Sequence, residues 1–148
     1  MQLVEKNVPG VGIILIHKDK FLLQHRDDKQ GIPNPNKWGL VGGGVDEGET
    51  PEEAIKRECS EEIGVIPRNI TYIGKTTDNK SRFYAYLEDD EVDALRLGEG
   101  QEIRFFAPEE VLSINLTPRV EMFFKTYSNA VQKFIRKENV VAKDFGLE

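Results

Sequence analysis

The net charge of this 148-residue chain is concentrated in one segment, residues 43–65. That segment contains eight acidic and two basic residues, so its formal charge of −6 equals the charge of the whole chain. The remaining 125 residues contain 18 acidic and 18 basic residues, which cancel. Such a dense block of carboxylates repels itself unless it is spread over a solvated surface or neutralised by cations. Any fold of this chain must provide one of these two environments.

The composition is typical of a soluble globular protein. Hydrophobic residues make up 39% of the chain and charged residues 31%, which suits a packed core rather than disorder. The single cysteine, Cys59, excludes an internal disulfide and fits a reducing compartment. No apolar run is long enough for a membrane span or a signal peptide. We therefore expect a single domain over residues 1–148, located in the cytoplasm and without a membrane partner.

The charge distribution also bears on the kind of partner. The chain is mildly acidic overall and contains no basic stripe with interleaved aromatic residues. Binding to polymeric nucleic acid generally requires a basic face. We therefore expect a small-molecule partner and no polymeric nucleic acid, with the protein acting as a monomer or a homodimer.

Strong helix signals lie inside the acidic segment. Thr50 is a favourable N-cap, Pro51 suits the first helical position, and Glu53 completes a Thr-x-x-Glu capping box. Gly64 can end the helix in a left-handed conformation. These signals predict a helix over residues 51–63.

The rest of the chain alternates short apolar runs with turn signals. A C-terminal helix over about residues 118–138 is indicated by apolar residues at helical spacing, and residues 108–112 can form one helical turn. Strands mixed with helices on both faces of a sheet indicate a single α/β domain. The predicted strands cover residues 10–16, 21–24, 38–41, 70–74, 81–87 and 103–106, the first two forming a hairpin that turns near residues 18 and 19.

Three carboxylates share one edge of the predicted helix. At 100° per residue, Glu58, Glu61 and Glu62 fall within about one third of the circumference, beside an apolar stripe that can pack on the core. A solvated acidic face is the ordinary explanation for such a pattern. The glycine-rich approach through residues 42–44 favours a site for a hard cation, because Mg²⁺ prefers carboxylate oxygens and commonly bridges to phosphates.

The complete spacing of the segment resembles a known signature. It reads Gly43, five residues, Glu49, seven residues, and then residues 57–65 with the sequence RECSEEIGV. This is similar to the Nudix box, G-x5-E-x7-R-E-U-x-E-E-x-G-U, in which U is a bulky aliphatic residue. All seven fixed residues match. Cys59 replaces one aliphatic residue, and we expect a buried, inert thiol there.

The resemblance implies the Nudix fold, a mixed β-sheet sandwiched between helices (α/β/α). It also implies hydrolysis of a nucleoside diphosphate linked to another group X, with Mg²⁺ or Mn²⁺ as cofactor. We expect water to attack one phosphorus of the diphosphate in line with the leaving oxygen, whose bond to that phosphorus breaks, while a glutamate accepts the proton of the water. The resemblance implies metal positions at Glu58, Glu61, Glu62 and the loop glycine Gly43. It implies catalytic roles for Arg57, Glu61 and Glu62. Glu49 is expected to support the site.

Residues outside the box match the family less specifically. The general base of some members comes from a later loop, for which Glu99 and Glu102 are candidates, although a plain acidic loop fits equally well. Arg26 resembles a phosphate-contacting arginine of MutT-type members. Trp38 suits the core better than a base-stacking role, and Asn115 is a candidate for reading a base edge.

Three functions remain open on the sequence alone. The MutT-type interpretation favours a nucleoside triphosphate, including oxidised ones, as substrate of a pyrophosphohydrolase. A nucleotide sugar or ADP-ribose is the alternative substrate class. A non-catalytic Nudix-fold nucleotide sensor is disfavoured because the chain retains the carboxylates of the box. The nucleobase, the X group and the phosphorus attacked are not encoded in any pattern that we can read.

Overall fold

The computed structural model describes residues 8–148. The chain begins there with a hairpin of strands β1 (Gly10–His17) and β2 (Lys20–His25). Lys18 and Asp19 both have positive φ, 46° and 66°. Two such residues in succession form the tight turn whose twist matches that of the flanking strands. The predicted hairpin is therefore present.

Two short strands lie between the ends of β1 and β2 that are distant from the turn. Strand β3 (Trp38–Gly39) pairs with the end of β2, and β4 (Val41–Gly44) pairs with the start of β1. Both pairings are antiparallel, and they replace the direct pairing of β1 with β2, which is confined to residues near the turn. Strand β4, which contains the glycine-rich residues 42–44, therefore lies in the middle of the sheet.

Three further strands complete a mixed sheet. Strand β5 (Thr71–Lys75) pairs antiparallel with β6 (Lys80–Tyr86), and β6 pairs parallel with β1 along most of its length. Strand β7 (Glu102–Phe106) pairs antiparallel with β2 on the opposite edge. Since parallel neighbours need a long crossover, the connection from β1 to β6 has room for the helix that carries the carboxylates.

The helices cover both faces of the sheet. Helix α1 (Pro51–Ile63) has the predicted bounds, the predicted capping box and a left-handed Gly64 with φ of 70°. Within residues 8–148, none of the helices is both long enough and apolar enough to cross a membrane. The other helices are α2 (Asp89–Asp93), α3 (Pro108–Val111), α4 (Pro118–Thr126) and α5 (Ser128–Ile135), and a 3₁₀ turn covers Ala142–Phe145.

The prediction of one C-terminal helix over residues 118–138 is wrong. The chain forms two helices, α4 and α5, and the break is at Tyr127, which has φ of −108° and ψ of 43°. Apolar side chains on both sides of the break, including Phe123 and Phe134, pack into the same core. The spacing of these side chains therefore matches that of a single helix, although the helical conformation of the backbone is interrupted at Tyr127.

The core consists of two layers, one on each face of the sheet. Alternate residues of β1 point to opposite faces: Ile13 and Leu15 pack toward α1, whereas Ile14 and Ile16 pack toward the C-terminal helices. Strand β1 is buried along almost its whole length because both faces are covered. The apolar side of α1 thereby docks on the sheet, which fixes the helix rotation that presents its carboxylates.

The cap of α1 provides a local test of how the helix is stabilised. The Thr50 hydroxyl accepts a hydrogen bond from the Glu53 amide at 3.1 Å, so Thr50→Ala is expected to lower the free energy of unfolding by about 1 kcal/mol. Urea denaturation measures the change. Ser60→Ala on the exposed side of the same helix is the control, and its expected effect is neutral or slightly stabilising, since alanine favours the helix. Equal losses in both variants would contradict a specific role for the cap.

Candidate active site

The docking of α1 divides its three edge carboxylates into two environments. Ala54, Ile55, Cys59 and Ile63 are buried against the sheet, and the adjoining Glu58 and Glu62 are only 9% and 3% exposed. Glu61 lies on the exposed side. Burial raises the pKa of the Cys59 thiol to about 12, which suits the expected inert residue. Two of the three carboxylates are therefore part of the interior, which a merely solvated acidic face would not require.

Arg57 joins the carboxylates of the acidic segment. Its Nε and Nη2 donate to the two oxygens of Glu49 at 2.9 and 3.1 Å, and Nη2 also donates to the Gly44 carbonyl at 3.0 Å. Nη1 donates to Glu58 Oε1 at 2.9 Å and to Glu61 Oε2 at 3.3 Å. The hydrogen bonds from Arg57 hold the pKa of Glu49 below its usual range. One guanidinium thus anchors the loop before α1 to the carboxylate edge of the helix.

Glu62 is the carboxylate that Arg57 does not reach. Within residues 8–148, its Oε2 atom is buried without a hydrogen-bond partner. Burial, followed by the hydrogen bond and charge of Glu58 and the charge of Glu99, raises the pKa of Glu62 to about 10. A buried carboxyl of this kind must be protonated or be matched by a cation.

The burial of Glu58 and Glu62 and the unpaired Oε2 of Glu62 within residues 8–148 fit a site for a divalent cation, although the side chains in this arrangement do not form a complete set of ligands. Glu58 and Glu62 lie side by side, and the unpartnered oxygen of Glu62 is a hard donor of the kind that Mg²⁺ prefers. In the described part of the chain, no group of three or more acidic, histidine or cysteine residues converges on one point. Arg57 is the cation that Glu49, Glu58 and Glu61 bind in this arrangement.

Gly43 provides the room that this carboxylate pair requires. A Cβ atom on Gly43 would lie 2.6 Å from Glu58 Oε1, well inside van der Waals contact. Only glycine allows the β4 backbone to approach the carboxylate this closely. Position 43 therefore requires glycine for a steric reason, which the spacing of the sequence alone does not reveal.

Gly43→Ala is expected to lower turnover by about 10²-fold, because the new methyl group must displace the Glu58 carboxylate. Steady-state kinetics and a thermal melt would separate this effect from unfolding. Gly44→Ala is a matched control, since a Cβ there meets no atom within 4 Å among the described residues. Equal activities of the two variants would refute the steric argument.

The carboxylate pair opens into a cleft of about 330 Å³. Its lining includes Gln24, Arg26, Glu99 and the backbone of Gly42–Gly43. The loop that carries Glu99 is held against the end of α1, because the Gly98 amide donates to the Glu62 carbonyl at 2.9 Å. Buried Gln24 donates from Nε2 to the Glu99 carbonyl at 3.1 Å. Glu99 thus reaches the cleft through contacts between distant segments.

Three of the residues expected to contact substrate or act as base lie elsewhere. Trp38 is 8% exposed and stacks on His25, with ring centroids 4.5 Å apart. Glu102 lies on β7, where it binds Arg104, and Asn115 is exposed and contributes its carbonyl to the Trp38 amide. None of these three lines the cleft, whereas Arg26 does.

A second pocket, of about 290 Å³, adjoins the cleft on the other face of the sheet. Arg26, Gly42 and Gly43 line both cavities, and Arg82 and Arg119 line the second pocket but not the cleft. Sequence reasoning missed Gln24, Arg82 and Arg119. A detectable signal existed for Arg82, since it is a charged residue near the start of a predicted strand that continues with apolar and aromatic residues.

Comparison with known proteins decides the family. A family model described as the NUDIX domain matches residues 6–127, which is most of the chain. This chain belongs to the Nudix family. The predicted membership, made from residues 43–65 alone, is thereby confirmed.

Curated relatives of this Nudix chain match it over part of their length. An RNA pyrophosphohydrolase from Marinomonas sp. (strain MWYL1) is 44% identical over 68 residues, which is 46% of this chain and 39% of the relative. An RNA pyrophosphohydrolase from Hydrogenovibrio crunogenus is 37% identical over 70 residues, 47% of this chain and 39% of the relative. The matches therefore span about two fifths of the curated relatives.

Solved structures confirm the predicted Nudix fold. A MutT NUDIX hydrolase from Burkholderia pseudomallei superposes with a TM-score of 0.66 at 24% identity, over 80% of this chain and 95% of that one. The NUDIX domain of Shewanella oneidensis NrtR, solved as a complex with ADP ribose, also gives a TM-score of 0.66, at 19% identity over 84% of this chain and 88% of that one. At these identities the likeness concerns the fold alone.

Proposed function

We propose that this Nudix chain is a pyrophosphohydrolase that cleaves a diphosphate bond in a nucleotide, with a nucleoside triphosphate as substrate and Mg²⁺ or Mn²⁺ as cofactor. The observation that carries the proposal is the buried pair Glu58 and Glu62, whose unpartnered oxygen lies at a cleft. That cleft is large enough for a diphosphate and has a cationic rim at Arg26. A buried carboxylate pair beside a phosphate-sized space would suit a divalent ion that neutralises the charge of a diphosphate.

Each side chain has a role in this proposal. Glu58, Glu61 and Glu62 would hold the divalent ion, which when bound would neutralise phosphate charge and increase the acidity of a water molecule. Arg57 keeps Glu58 and Glu61 in position through Nη1, and Glu49 in turn fixes the guanidinium. Arg26 contacts a phosphate, although its Nε already donates to the Pro33 carbonyl at 3.0 Å.

The proton of the attacking water needs an acceptor within hydrogen-bond reach of the cleft. Glu99 and Glu62 both line the cleft, and Glu102 does not. Glu99 is therefore the favoured loop base, with Glu61 and Glu62 as the alternatives on α1. Glu99→Gln tests the assignment. A loss of turnover with unchanged stabilisation by Mg²⁺ supports Glu99 as the base. Unchanged turnover would instead assign the base to Glu61 or Glu62 on α1.

Hydrolysis of a nucleotide panel in ¹⁸O-water tests the proposal. The panel contains nucleoside triphosphates, oxidised purine triphosphates, nucleotide sugars and ADP-ribose, each with Mg²⁺ and with an excess of chelator. Mass spectrometry of the products identifies both the substrate and the phosphorus that receives the labelled oxygen. Tight binding of nucleotides without turnover of any compound would instead favour the non-catalytic sensor.

A second candidate substrate is the phosphorylated end of an RNA. The observation that favours it is the name of the curated relatives, RNA pyrophosphohydrolase. This candidate runs against the expectation that the chain takes no polymeric nucleic acid. That expectation came from the missing basic stripe, and a protein that reads only the chain end does not need one. A 5′-triphosphorylated oligoribonucleotide in the same panel distinguishes the two candidates.

A further inference from the structure

Gln24 is a buried polar residue in the interior of the sheet. Its residue is only 4% exposed, and its backbone lies between β3 and β7, in register with Gly39 and Ile103. Leu22, two residues earlier on β2, packs toward α1, so the Gln24 side chain lies on the same face as the carboxylates of that helix. A buried amide lowers stability unless it is hydrogen-bonded, whereas an apolar side chain would fill the space without that cost. Packing alone therefore does not explain this amide.

The partner of the amide is the loop that carries Glu99. Gln24 Nε2 donates to the Glu99 carbonyl at 3.1 Å. Glu99 lines the cleft together with Glu58 and Glu62. Its own side chain is exposed and, within residues 8–148, forms no hydrogen bond or ion pair. The protein therefore holds Glu99 at the cleft through its main chain rather than through its carboxylate.

The glycines on both sides of this glutamate contact the neighbouring elements closely. A Cβ on Gly98 would overlap the Glu61 carbonyl oxygen near the end of α1. A Cβ on Gly100, which has φ of 89°, would lie 2.7 Å from the His25 carbonyl oxygen and 3.1 Å from Cγ of Gln24. The loop thus fits between α1 and β2 with no room for larger residues, and the Gln24 side chain forms part of the surface on which it rests.

We infer that Gln24 is a positioning residue for the reaction, because its amide holds the Glu99 main chain where the carboxylate reaches the attacking water. This inference rests on the proposed function, in which Glu99 is the favoured base. Glu99 accepts the proton of the water as the new P–O bond forms and the bond from that phosphorus to the leaving oxygen breaks. Such a transfer requires the acceptor within hydrogen-bond reach, and a displacement of about 1 Å can lower the rate by about 10²-fold.

Gln24→Met removes the hydrogen-bond donor and keeps an unbranched side chain. We expect kcat to fall roughly 10- to 100-fold, with KM within about threefold of the wild-type value and an unchanged shift of the melting temperature by Mg²⁺. Gln132→Met is the matched control, since Gln132 is exposed on α5. Thermal melts verify folding, and Gln24→Leu takes the place of the methionine variant if that variant unfolds. A wild-type kcat in the folded variant overturns the inference.

A double-mutant cycle assigns the effect to Glu99. In the Glu99→Gln background the base is already absent, so the added Gln24→Met should lower the residual kcat by less than about threefold. An equal fall in both backgrounds means that Gln24 acts through another part of the protein, and it overturns the inference. Full turnover of Glu99→Gln overturns it as well, because the base then belongs to α1.

Amide hydrogen exchange tests the anchoring of the loop without any turnover. The Gly98 amide donates to the Glu62 carbonyl at 2.9 Å and the Gln101 amide donates to the β2 backbone at 2.8 Å, so both report on the loop. We expect Gln24→Met to raise the exchange rates of these two amides about 5- to 10-fold and the control variant to leave them unchanged. Unchanged exchange in Gln24→Met overturns the inference.

The two proposals fail in different ways. If no compound of the nucleotide panel is hydrolysed, the pyrophosphohydrolase is refuted, while faster exchange in Gln24→Met still shows that this amide positions the loop. If a nucleotide is hydrolysed and neither kcat nor exchange responds to Gln24→Met, the role of Gln24 alone is refuted.

Discussion

Glu62→Gln is expected to reduce turnover of the preferred nucleotide by roughly 10²- to 10⁴-fold, the range associated with losing a proton-transfer group or an ion ligand. The reason is that Glu62 is a buried carboxylate whose Oε2 has no hydrogen-bond partner within residues 8–148, so this oxygen is available to a metal ion. Steady-state kinetics with saturating Mg²⁺ measures the effect. Glu52→Gln is the control, since Glu52 is exposed on the same helix and the charge change is identical. Full activity of Glu62→Gln would exclude Glu62 from the site.

The same variant has an expected signature in the pH dependence of stability without metal. Burial and Glu58 raise the pKa of Glu62 from 4.5 to about 10 in the folded chain. Folding therefore favours the protonated carboxyl, whose contribution is complete below pH 4.5 and is lost as the pH rises toward 10. Glutamine has no proton to lose. Thermal melts in chelator at about pH 5 and about pH 9 should show a smaller loss of stability for Glu62→Gln than for wild type.

Addition of Mg²⁺ is expected to raise the melting temperature by about 5–10 °C at a concentration near 100 times the dissociation constant. A ligand at that excess stabilises the folded state by about 2.7 kcal/mol, and each kcal/mol corresponds to about 2–4 °C for a chain of this size. The physical reason is that the ion supplies the buried carboxyl of Glu62 with a cationic partner that residues 8–148 do not provide. Differential scanning calorimetry measures the shift.

Two controls separate site binding from general screening. Sodium chloride at the same ionic strength screens exposed charges but does not occupy a carboxylate site, so its shift should be much smaller. The double variant Glu58→Gln with Glu62→Gln should lose most of the shift produced by Mg²⁺. Equal stabilisation by both salts, or an undiminished shift in the double variant, would contradict a metal site at this pair.

The reliable predictions from sequence concern local interactions. Thr50, Glu53 and Gly64 determine the bounds of α1 because caps act within one turn of the chain. The hairpin turn at Lys18 and Asp19 is local in the same way. The wrong prediction, one continuous C-terminal helix, also has a local origin, since the backbone break at Tyr127 leaves the apolar spacing intact.

The sequence by itself determined the family, the helix and the set of carboxylates, because their spacing along the chain is their signature. Only the tertiary structure decided that Glu62 is buried, with an Oε2 atom that no group in residues 8–148 hydrogen-bonds, while Glu61 stays exposed, because burial depends on how α1 docks on the sheet. It likewise brought Gln24 and Glu99 to the cleft and left Trp38 and Glu102 outside it. The guanidinium of Arg82 lies over Gly12 because the two residues are in register on β6 and β1. They are 70 positions apart, so no local pattern encodes this contact.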